Sequence, residues 1–209
     1  MAGHRLFAAM YDRMLAAQEK AGLRDMRAEL LSEARGRSLE VGAGTGLNLP
    51  HYTDAVTELV FTEPDPHMAK RLRRRAAEAG LPSPVEVIEA GAEDLPFEDA
   101  SFDTVVATLV FCTVSDPGRA TAEAARLLRP GGQLLLLEHV RAEEGSRRAR
   151  WQDRLERPWG WVGAGCHPNR DTASTLGARF DVSGLAEDTL PGSAPPIVKP
   201  LIRGVARPA

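Results

Sequence analysis

Residues 38–49 have the sequence SLEVGAGTGLNL, in which a short apolar run is followed by three alternating glycines. This pattern predicts a buried strand that ends in a sharp turn. Glycine accepts positive φ, and because it has no Cβ it lets backbone N–H groups approach a bound molecule closely. We therefore predict a ligand site at Gly42, Gly44 and Gly46, with a glycine turn that binds nothing as the plain alternative.

The spacing of these glycines argues against a dinucleotide site. The dinucleotide fingerprint G-x-G-x-x-G requires its third glycine at the position where this chain has Leu47. The third glycine comes one residue early, at Gly46. An NAD(P)-dependent oxidoreductase is therefore disfavoured.

The composition is that of an ordinary globular protein. The 209 residues suffice for one well-buried domain, and we expect a single domain over residues 1–209. Hydrophobic residues make up 43% and charged residues 26%, which argues against a chain that is disordered throughout. The 26 Lys plus Arg and 29 Asp plus Glu give a net charge of −3, so nucleic acid is not an expected partner. We make no prediction of oligomeric state.

The two cysteines and the N-terminal sequence bear on the cellular setting. Cys112 and Cys166 lie far apart in the sequence without a C-x-x-C pairing, which argues against a disulfide framework and against a metal site. The first residues contain no apolar run long enough for a signal peptide or a membrane span. We therefore expect a cytoplasmic protein without stable membrane insertion.

Helical and strand patterns alternate along the chain. Residues 5–34 carry apolar positions at helical spacing with a break at Gly22, which predicts a two-helix cap over residues 1–35. After the glycine turn, strands and helices alternate up to two last strands at residues 180–185 and 201–207. The alternation predicts a doubly wound, Rossmann-like α/β fold with a seven-stranded, mostly parallel sheet. The other strands are predicted at residues 56–62, 84–90, 104–110 and 133–138, and helices at residues 68–79 and 120–128.

The strand predicted at residues 56–62 is followed directly by an acidic residue, Glu63. A carboxylate about 20 residues past the glycines is where a nucleotide-binding α/β unit accepts hydrogen bonds from ribose hydroxyls. We predict this role for Glu63 and assign Asp65 to the start of the next helix, where an acid is favoured by the helix dipole. The arginines of that helix, residues 68–79, are predicted to form a solvated face.

From residue 5 onward the chain resembles the class I S-adenosylmethionine-dependent methyltransferases (methyltransferase type 11-like), whose first motif has the form E/D-x-G-x-G-x-G. Glu40, Gly42, Gly44 and Gly46 match this motif, and residues 128–132, LRPGG, match a segment common in the family. The resemblance implies S-adenosyl-L-methionine as the cofactor and places Glu40 at its methionine end.

The same resemblance implies further cofactor contacts. Tyr11, followed by Asp12, matches a Tyr-Asp pair in a segment that folds over the cofactor, although Tyr11 fits a core contact equally well. Thr108 stands at the end of a strand that in the family touches both the methionine moiety and the substrate pocket.

Residues 91–97 resemble the family segment that caps the adenine. Gly91 replaces the usual aspartate, which leaves the backbone N–H of Ala92 and the side chain of Glu93 as the polar candidates. The adenine contacts are therefore predicted at Ala92 and Glu93.

Segments 108–114, 128–140 and 165–171 resemble the branch that includes methyltransferase-like alkyl-thiol S-methyltransferases. We therefore expect methyl transfer to a small molecule, with a thiol as the favoured acceptor. A thiol needs little catalytic help, because a pKa of about 8.5 leaves a few per cent as thiolate near neutral pH. The alternatives are an O-, N- or C-methyltransferase acting on a quinone, lipid or natural product, and a non-catalytic cofactor-binding protein.

Two histidines are candidates for a catalytic base, and one segment is a candidate for the acceptor site. His139 and His167 can take a proton near neutral pH, although a lone histidine is more often structural. Residues 145–179, which contain all three tryptophans, are predicted to be an insertion that covers the active site. A basic amphipathic surface for anionic membranes is the alternative for this segment, and its glycine and proline residues argue against it.

Overall fold

The computed structural model of the protein describes residues 5–81, 85–163 and 165–209. The predicted alternation of strands and helices is confirmed, and the turn at residues 42–46 follows directly on the first strand. The strands are β1 (Gly36–Val41), β2 (Val56–Thr62), β3 (Val85–Ile88), β4 (Phe102–Thr108), β5 (Leu128–His139), β6 (Phe180–Asp181), β7 (Leu185–Thr189) and β8 (Pro200–Pro208).

The helices cover both faces of the sheet and begin at identifiable caps. Asp65 precedes a helix and accepts hydrogen bonds from the backbone N–H groups of His67 and Met68, which confirms its predicted place. None of the helices in the described ranges is long and apolar enough to cross a membrane. The α-helices are α1 (Arg5–Gln18), α2 (Arg24–Leu31), α3 (Pro66–Ala79), α4 (Pro117–Leu127), α5 (Arg147–Val162) and α6 (Thr172–Gly177). A π-helical turn covers Glu19–Leu23, and short 3₁₀ turns cover Leu49–His51 and Pro196–Val198.

The sheet has the order β3-β2-β1-β4-β5-β8-β6, and β7 also pairs with β8. The first five strands are parallel to one another, whereas β8 runs antiparallel to β5. Chain order reverses at β1, which has β2 on one side and β4 on the other. In an open α/β sheet this switch point leaves a crevice at the carboxyl ends of the strands.

The outer edge differs from the seven-stranded prediction. The segment predicted as one strand at residues 180–185 contains the whole of β6 and the first residue of β7, and both strands pair with β8. Between them Gly184 approaches the backbone of Val205 and Gly204 so closely that a Cβ would clash. This close approach bends the chain and divides the predicted strand.

The two central strands are buried on both sides. Along β5, Leu134 belongs to the core on one face together with Leu127 of α4, while Leu135 belongs to the core on the other face together with Leu31 of α2. Parallel strands covered by helices on both faces carry apolar residues at every position, which accounts for the unbroken run of leucines in β5.

The N-terminal cap is tied to the glycine turn. Gly22, at φ +129°, produces the predicted break between the two helices of the cap. From α1, Asp12 accepts a hydrogen bond from Thr45 Oγ1 at 2.5 Å and forms an ion pair with Arg75 of α3. The predicted solvated face of α3 holds for Arg73 and Arg74, which are exposed, but Arg75 is engaged by the cap.

Candidate cofactor and acceptor site

A small open cleft lies where β1 and β4 end. It lies at the switch point of the sheet, and side chains from the cap, the glycine turn and β4 converge on it. The cleft is lined by Tyr11, Arg27, Glu40, Gly42, Ala43, Gly44, Thr45, Leu47, Asn48 and Thr108. Five of the predicted site residues are therefore brought together here, namely Tyr11, Glu40, Gly42, Gly44 and Thr108.

The three glycines of the turn all have positive φ, as a turn of this kind requires. A Cβ on Gly42 would lie 2.9 Å from Val110, and a Cβ on Gly46 would lie 2.6 Å from Leu49. Gly46 therefore faces the core rather than the cleft. Gly44 faces the cleft, where a Cβ would lie 3.9 Å from Tyr11 Cε1.

Glu40 is a buried carboxylate at the floor of the cleft, with 1% of its surface exposed. Its Oε1 accepts a hydrogen bond from Asn48 at 3.0 Å, and its Oε2 accepts one from the Tyr52 hydroxyl at 2.6 Å. Burial raises the pKa of Glu40 to about 7, against the opposing effect of these bonds and of Arg27. The carboxylate is poised to ionise when a cation arrives beside it.

Arg27 of α2 enters the cleft from the cap and is 2% exposed. Its Nε donates to Glu19 at 3.0 Å, and its Nη1 donates to Asn48 at 3.0 Å and to Thr108 at 3.1 Å. No hydrogen bond found within the described ranges uses Nη2, so this nitrogen can donate to a ligand. A buried arginine of this kind is a ready partner for a carboxylate.

Tyr11 stands across the cleft from the glycine turn. Burial is the main cause that raises the pKa of its hydroxyl to about 12, so this side chain stays neutral. Tyr11, the cap residue predicted to contact the cofactor, therefore lies over Gly44.

Glu63 follows β2 and lies against the glycine turn. Its Oε2 accepts a hydrogen bond from the backbone N–H of Gly44 at 2.8 Å, and its Oε1 accepts one from Asp65 at 2.9 Å. Burial raises the pKa of Glu63, although both backbone bonds oppose the shift. The carboxylate is therefore held beside the cleft, next to the residues that line it.

The predicted adenine residues lie farther along the same edge of the sheet. Ala92 is buried, and Glu93 accepts hydrogen bonds from the backbone N–H groups of Ser115 at 2.7 Å and Asp116 at 3.4 Å. The Glu93 side chain thus connects two loops and does not line the cleft.

The chain after Thr108 is held in an unusual conformation. Leu109 has φ +59°, which is rare for a residue with a side chain. Buried Glu138 accepts hydrogen bonds from the backbone N–H groups of Val110 at 2.7 Å and Phe111 at 2.5 Å. Burial raises the pKa of Glu138 to about 7. Glu138 therefore fixes the apolar loop that adjoins the cleft.

His139 is buried on β5 and does not line the cleft. Its ring forms a hydrogen bond with the backbone of Val198, and its Nδ1 has no partner among the described residues. Burial lowers the pKa of His139 to about 4, so the imidazole is neutral near pH 7. It is a weak base in a dry position.

His167 lies in the chain that follows α5. Its Nδ1 is 2.8 Å from Glu156 Oε1, and its backbone N–H donates to the carbonyl of Cys112 at 2.7 Å. A carboxylate on one ring nitrogen orients a histidine and leaves the other nitrogen available. His167 is half-exposed and lies outside the cleft.

The two cysteines, far apart in the sequence, meet here. Cys112 and Cys166 are both buried and free, and their thiols are hydrogen-bonded to each other. This bond, followed by burial, raises the pKa of Cys112. Within the described ranges no group of His, Cys, Asp or Glu side chains is arranged to hold a metal ion.

The charges in the cleft fit an α-amino acid zwitterion. Arg27 presents a cation to a carboxylate, Glu40 presents an acid to an ammonium group, and the turn at Gly44 leaves the backbone open to a ligand. S-adenosyl-L-methionine carries such a zwitterion at its methionine end. The residues present therefore fit the predicted cofactor.

Four polar residues of this region were not among the site residues predicted from the sequence, namely Arg27, Asn48, Tyr52 and Glu138. Asn48 and Tyr52 follow the glycine motif closely, and both donate to Glu40. A polar residue shortly after a glycine turn, where a buried acidic residue precedes that turn, would have been a usable signal. Arg27 had no such signal, because in the sequence it is one charged residue of an amphipathic helix.

Comparison with known proteins identifies relatives of the chain. A family model described as a methyltransferase domain matches residues 39–136. Thiol S-methyltransferase TMT1B of Homo sapiens is 33% identical over 172 residues, which cover 78% of this chain and 70% of that protein. TMT1B of Rattus norvegicus is 38% identical over 135 residues, so the chain spans only 55% of that relative's length. A phosphatidylethanolamine N-methyltransferase of Cereibacter sphaeroides is 38% identical over 130 residues, which cover 60% of this chain and 63% of that protein.

A solved structure agrees in fold. The SAM-dependent methyltransferase of Thermotoga maritima, described as a possible histamine N-methyltransferase, has a TM-score of 0.69 at 24% identity, with 96% of this chain and 97% of that chain covered. This likeness confirms the doubly wound α/β fold. Together with the relatives and the fit of the cleft to S-adenosyl-L-methionine, it shows that the chain belongs to the class I S-adenosylmethionine-dependent methyltransferases.

Proposed function

We propose that this protein transfers a methyl group from S-adenosyl-L-methionine to the sulfur of a small apolar thiol. The observation that carries this proposal is the apolar loop of Leu109, Val110 and Phe111, which directly follows Thr108 of the cleft lining and packs through Val110 against Gly42. The names of the TMT1B relatives support a thiol acceptor.

The cofactor would be held mainly by charged groups of the cleft. Arg27 would donate to its carboxylate, and Glu40 would accept from its ammonium group. Tyr11 would lie over it, and Gly42 and Gly44 would let it approach the backbone.

The nucleoside part would lie toward β2 and the loop that follows β3. Glu63 would accept from the ribose hydroxyls, because a carboxylate has about four acceptor positions and the backbone uses two of them here. The backbone N–H of Ala92 suits the adenine better than Glu93, whose side chain is engaged elsewhere. Gly46 would act through packing, and Thr108 would border the reacting end.

When bound, the cofactor supplies a methyl group already activated by a sulfonium. The main task left to the protein is to align the acceptor in a dry site. The thiol would lose its proton to water, and its sulfur would then take the methyl group that the sulfonium releases, leaving S-adenosylhomocysteine. Glu138 acts as a positioning residue, because it fixes the loop against which the acceptor lies.

Residues 145–179 would cover the acceptor, as the sequence predicts. The chain after α5 approaches the apolar loop at two points, where His167 N–H donates to Cys112 O at 2.7 Å and Arg170 Nη1 donates to Phe111 O at 2.5 Å. Both contacts are to backbone, so they fix the position of the segment rather than its chemistry.

One observation favours the second candidate, an O- or N-methyltransferase. The buried Nδ1 of His139 has no partner in the described ranges and could accept a proton from an acceptor. The phosphatidylethanolamine N-methyltransferase of Cereibacter sphaeroides supports the same candidate by its name. The pKa of about 4 makes His139 a poor base, so we rank the thiol first.

Methylation of alkyl and aryl thiols is the test of the proposal. We expect turnover of a small apolar thiol, with a rate that rises with pH as the thiolate fraction grows toward a pKa of about 8.5. His139→Ala and His167→Ala should each lower kcat less than about tenfold, which is below the contribution of a positioned base. Methyl transfer from labelled cofactor, measured across pH for a panel of thiols, phenols and amines, supplies these values.

The opposite pattern of activities would favour the second candidate function, an O- or N-methyltransferase. In that case a phenol or amine is methylated, thiols are not, and loss of one histidine lowers kcat by about 10²-fold to 10⁴-fold. Bound S-adenosylhomocysteine in each variant serves as the control for an intact cofactor site.

Cofactor binding should depend on pH through Glu40. Below its pKa of about 7 the carboxyl is protonated, and it must release that proton to accept from an ammonium group. The affinity for S-adenosylhomocysteine should therefore fall by up to about tenfold for each pH unit below 7. Calorimetry in buffers of different ionisation enthalpy should show the matching release of a proton.

Glu40→Gln should remove this dependence, because an amide does not titrate. Glu138→Gln is the matched control, since the pKa of Glu138 is also raised to about 7 but the side chain lies outside the cleft lining. An equal loss of the pH dependence in both variants, or in neither, would refute the assignment to Glu40.

A further inference from the structure

The outward face of α5 exposes several apolar and aromatic side chains. Trp161 is 91% exposed, Val162 61% and Trp151 50%, and Pro158 is also exposed. Positions 151, 158, 161 and 162 recur at helical spacing, so these side chains lie on one side of the helix. Exposed apolar side chains grouped on one face mark an interaction surface more often than isolated ones do.

The same side of α5 is strongly basic. Its acidic residues are engaged elsewhere, because Asp153 pairs with Arg141 and Glu156 with His167. Five arginines against these two acids give the helix a charge of +3, in a chain whose net charge is −3. The arginines are exposed, and no ion pair found among the described residues includes them: Arg147, Arg148, Arg150, Arg154 and Arg157.

The inner side anchors the helix to the domain without these residues. Buried Gln152 accepts from the backbone N–H of Ala142 at 2.8 Å and donates to the carbonyl of Pro168 at 2.8 Å. The helix runs unbroken through Pro158 and Gly160, contrary to the interruption that the sequence suggested. Pro158 has no N–H to bond the carbonyl of Arg154, four residues earlier. Because this side of the helix is exposed, water can solvate that carbonyl.

We infer that the outward face of α5 binds the surface of an anionic lipid bilayer. Tryptophan side chains partition to the boundary between headgroups and acyl chains, and arginines beside them attract anionic headgroups. A helix lying in the plane of the interface satisfies both kinds of side chain at once. This mode requires no membrane-spanning segment.

Other occupants fit this face less well. A second copy related by two-fold symmetry would bring two sets of five arginines together, and the repulsion would oppose association. Duplex nucleic acid would satisfy the arginines, but it would leave the exposed side chains of Trp161 and Val162 without an apolar environment.

Adsorption through α5 would bring the acceptor side of the site to the bilayer. The helix carries Glu156, which holds His167, and His167 donates to the loop beside the cleft. Apolar acceptors concentrate in the membrane, so they would reach the site from there. This consequence rests on the proposed function, whereas binding to the bilayer does not.

Vesicle sedimentation of the purified full chain tests the inference without any turnover. We expect binding to phosphatidylcholine vesicles that contain phosphatidylserine, much weaker binding to phosphatidylcholine alone, and release by salt. The triple variant Arg150→Gln, Arg154→Gln, Arg157→Gln should weaken binding by about fivefold for each arginine. The variant Trp151→Ser, Trp161→Ser should weaken it by about tenfold.

The matched control removes the same charge from another exposed surface. Lys70→Gln, Arg73→Gln, Arg74→Gln on α3 should bind vesicles as the unaltered chain does. Unchanged binding of S-adenosylhomocysteine in every variant shows that the fold is intact. Equal losses of vesicle binding in the α3 and α5 variants would overturn the inference. Vesicle binding that neither set of substitutions changes would also overturn it. Association of two copies, or binding of duplex DNA or RNA, that depends on α5 in the absence of vesicle binding would also overturn it.

Discussion

Replacement of Gly44 by valine is expected to abolish measurable binding of the cofactor product while the protein stays folded. Gly44 has φ +59° and faces the cleft, where a Cβ would lie 3.9 Å from Tyr11 Cε1. The γ-carbons of valine would fill the space beneath Tyr11, and the left-handed backbone would add about 1–2 kcal/mol of strain. Isothermal calorimetry with S-adenosylhomocysteine should show a Kd raised more than about 100-fold.

Gly80 provides the matched control. It has the same φ of +59°, and a Cβ there would meet nothing within 4 Å. Gly80→Val should therefore lose comparable stability in thermal unfolding and bind the cofactor product normally. Normal binding by Gly44→Val would show that the glycine turn is not part of the ligand site.

Replacement of Arg27 by methionine is expected to lower cofactor affinity about 30-fold or more, because truncation of one partner in a buried charge pair costs about 2–5 kcal/mol. The loss has two sources. The cofactor carboxylate would lose its cation, Asn48 Oδ1 would lose its donor, and Thr108 Oγ1 would keep only the bond from Asn48 Nδ2. Arg27→Lys should recover part of the affinity, since it restores the charge without the planar fork.

The variant Arg203→Met distinguishes a specific loss of cofactor affinity from a general loss of stability. Arg203 donates to Asp188 at 2.6 Å and Glu29 at 2.7 Å and does not line the cleft. Arg203→Met should lower the melting temperature and leave the Kd for S-adenosylhomocysteine unchanged. A similar, small loss of affinity in Arg27→Met and Arg203→Met would contradict the role given to Arg27.

Local signals in the sequence were sufficient to predict most of the fold. Strand β2 has the predicted bounds, Val56–Thr62, because an apolar run between clear turn residues carries its own limits. The cap breaks at Gly22, as expected of a glycine within a helical pattern. The outer edge was predicted less well, because the division at Gly184 depends on the approach of Gly204 from a distant part of the chain.

The sequence likewise predicted one part of the site and missed another. Glu40 and the glycines of the turn are adjacent in the sequence, so a motif could identify them. Arg27 and Glu138 act through partners that lie 81 and 28 residues away, at Thr108 and Val110 respectively. Such contacts depend on tertiary structure, and no spacing in the sequence encodes them. The meeting of Cys112 and Cys166 is a second case of the same kind.

The tie between α1 and the glycine turn has a kinetic consequence. Tyr11 stands over Gly44, and the neighbouring Asp12 is held by Thr45 and Arg75, so we expect these contacts to slow the departure of a molecule from the cleft. The donor would then enter first and its demethylated product would leave last, in an ordered cycle whose slow step is release. Because salt weakens the ion pair between Asp12 and Arg75, turnover limited by release would become faster as ionic strength rises.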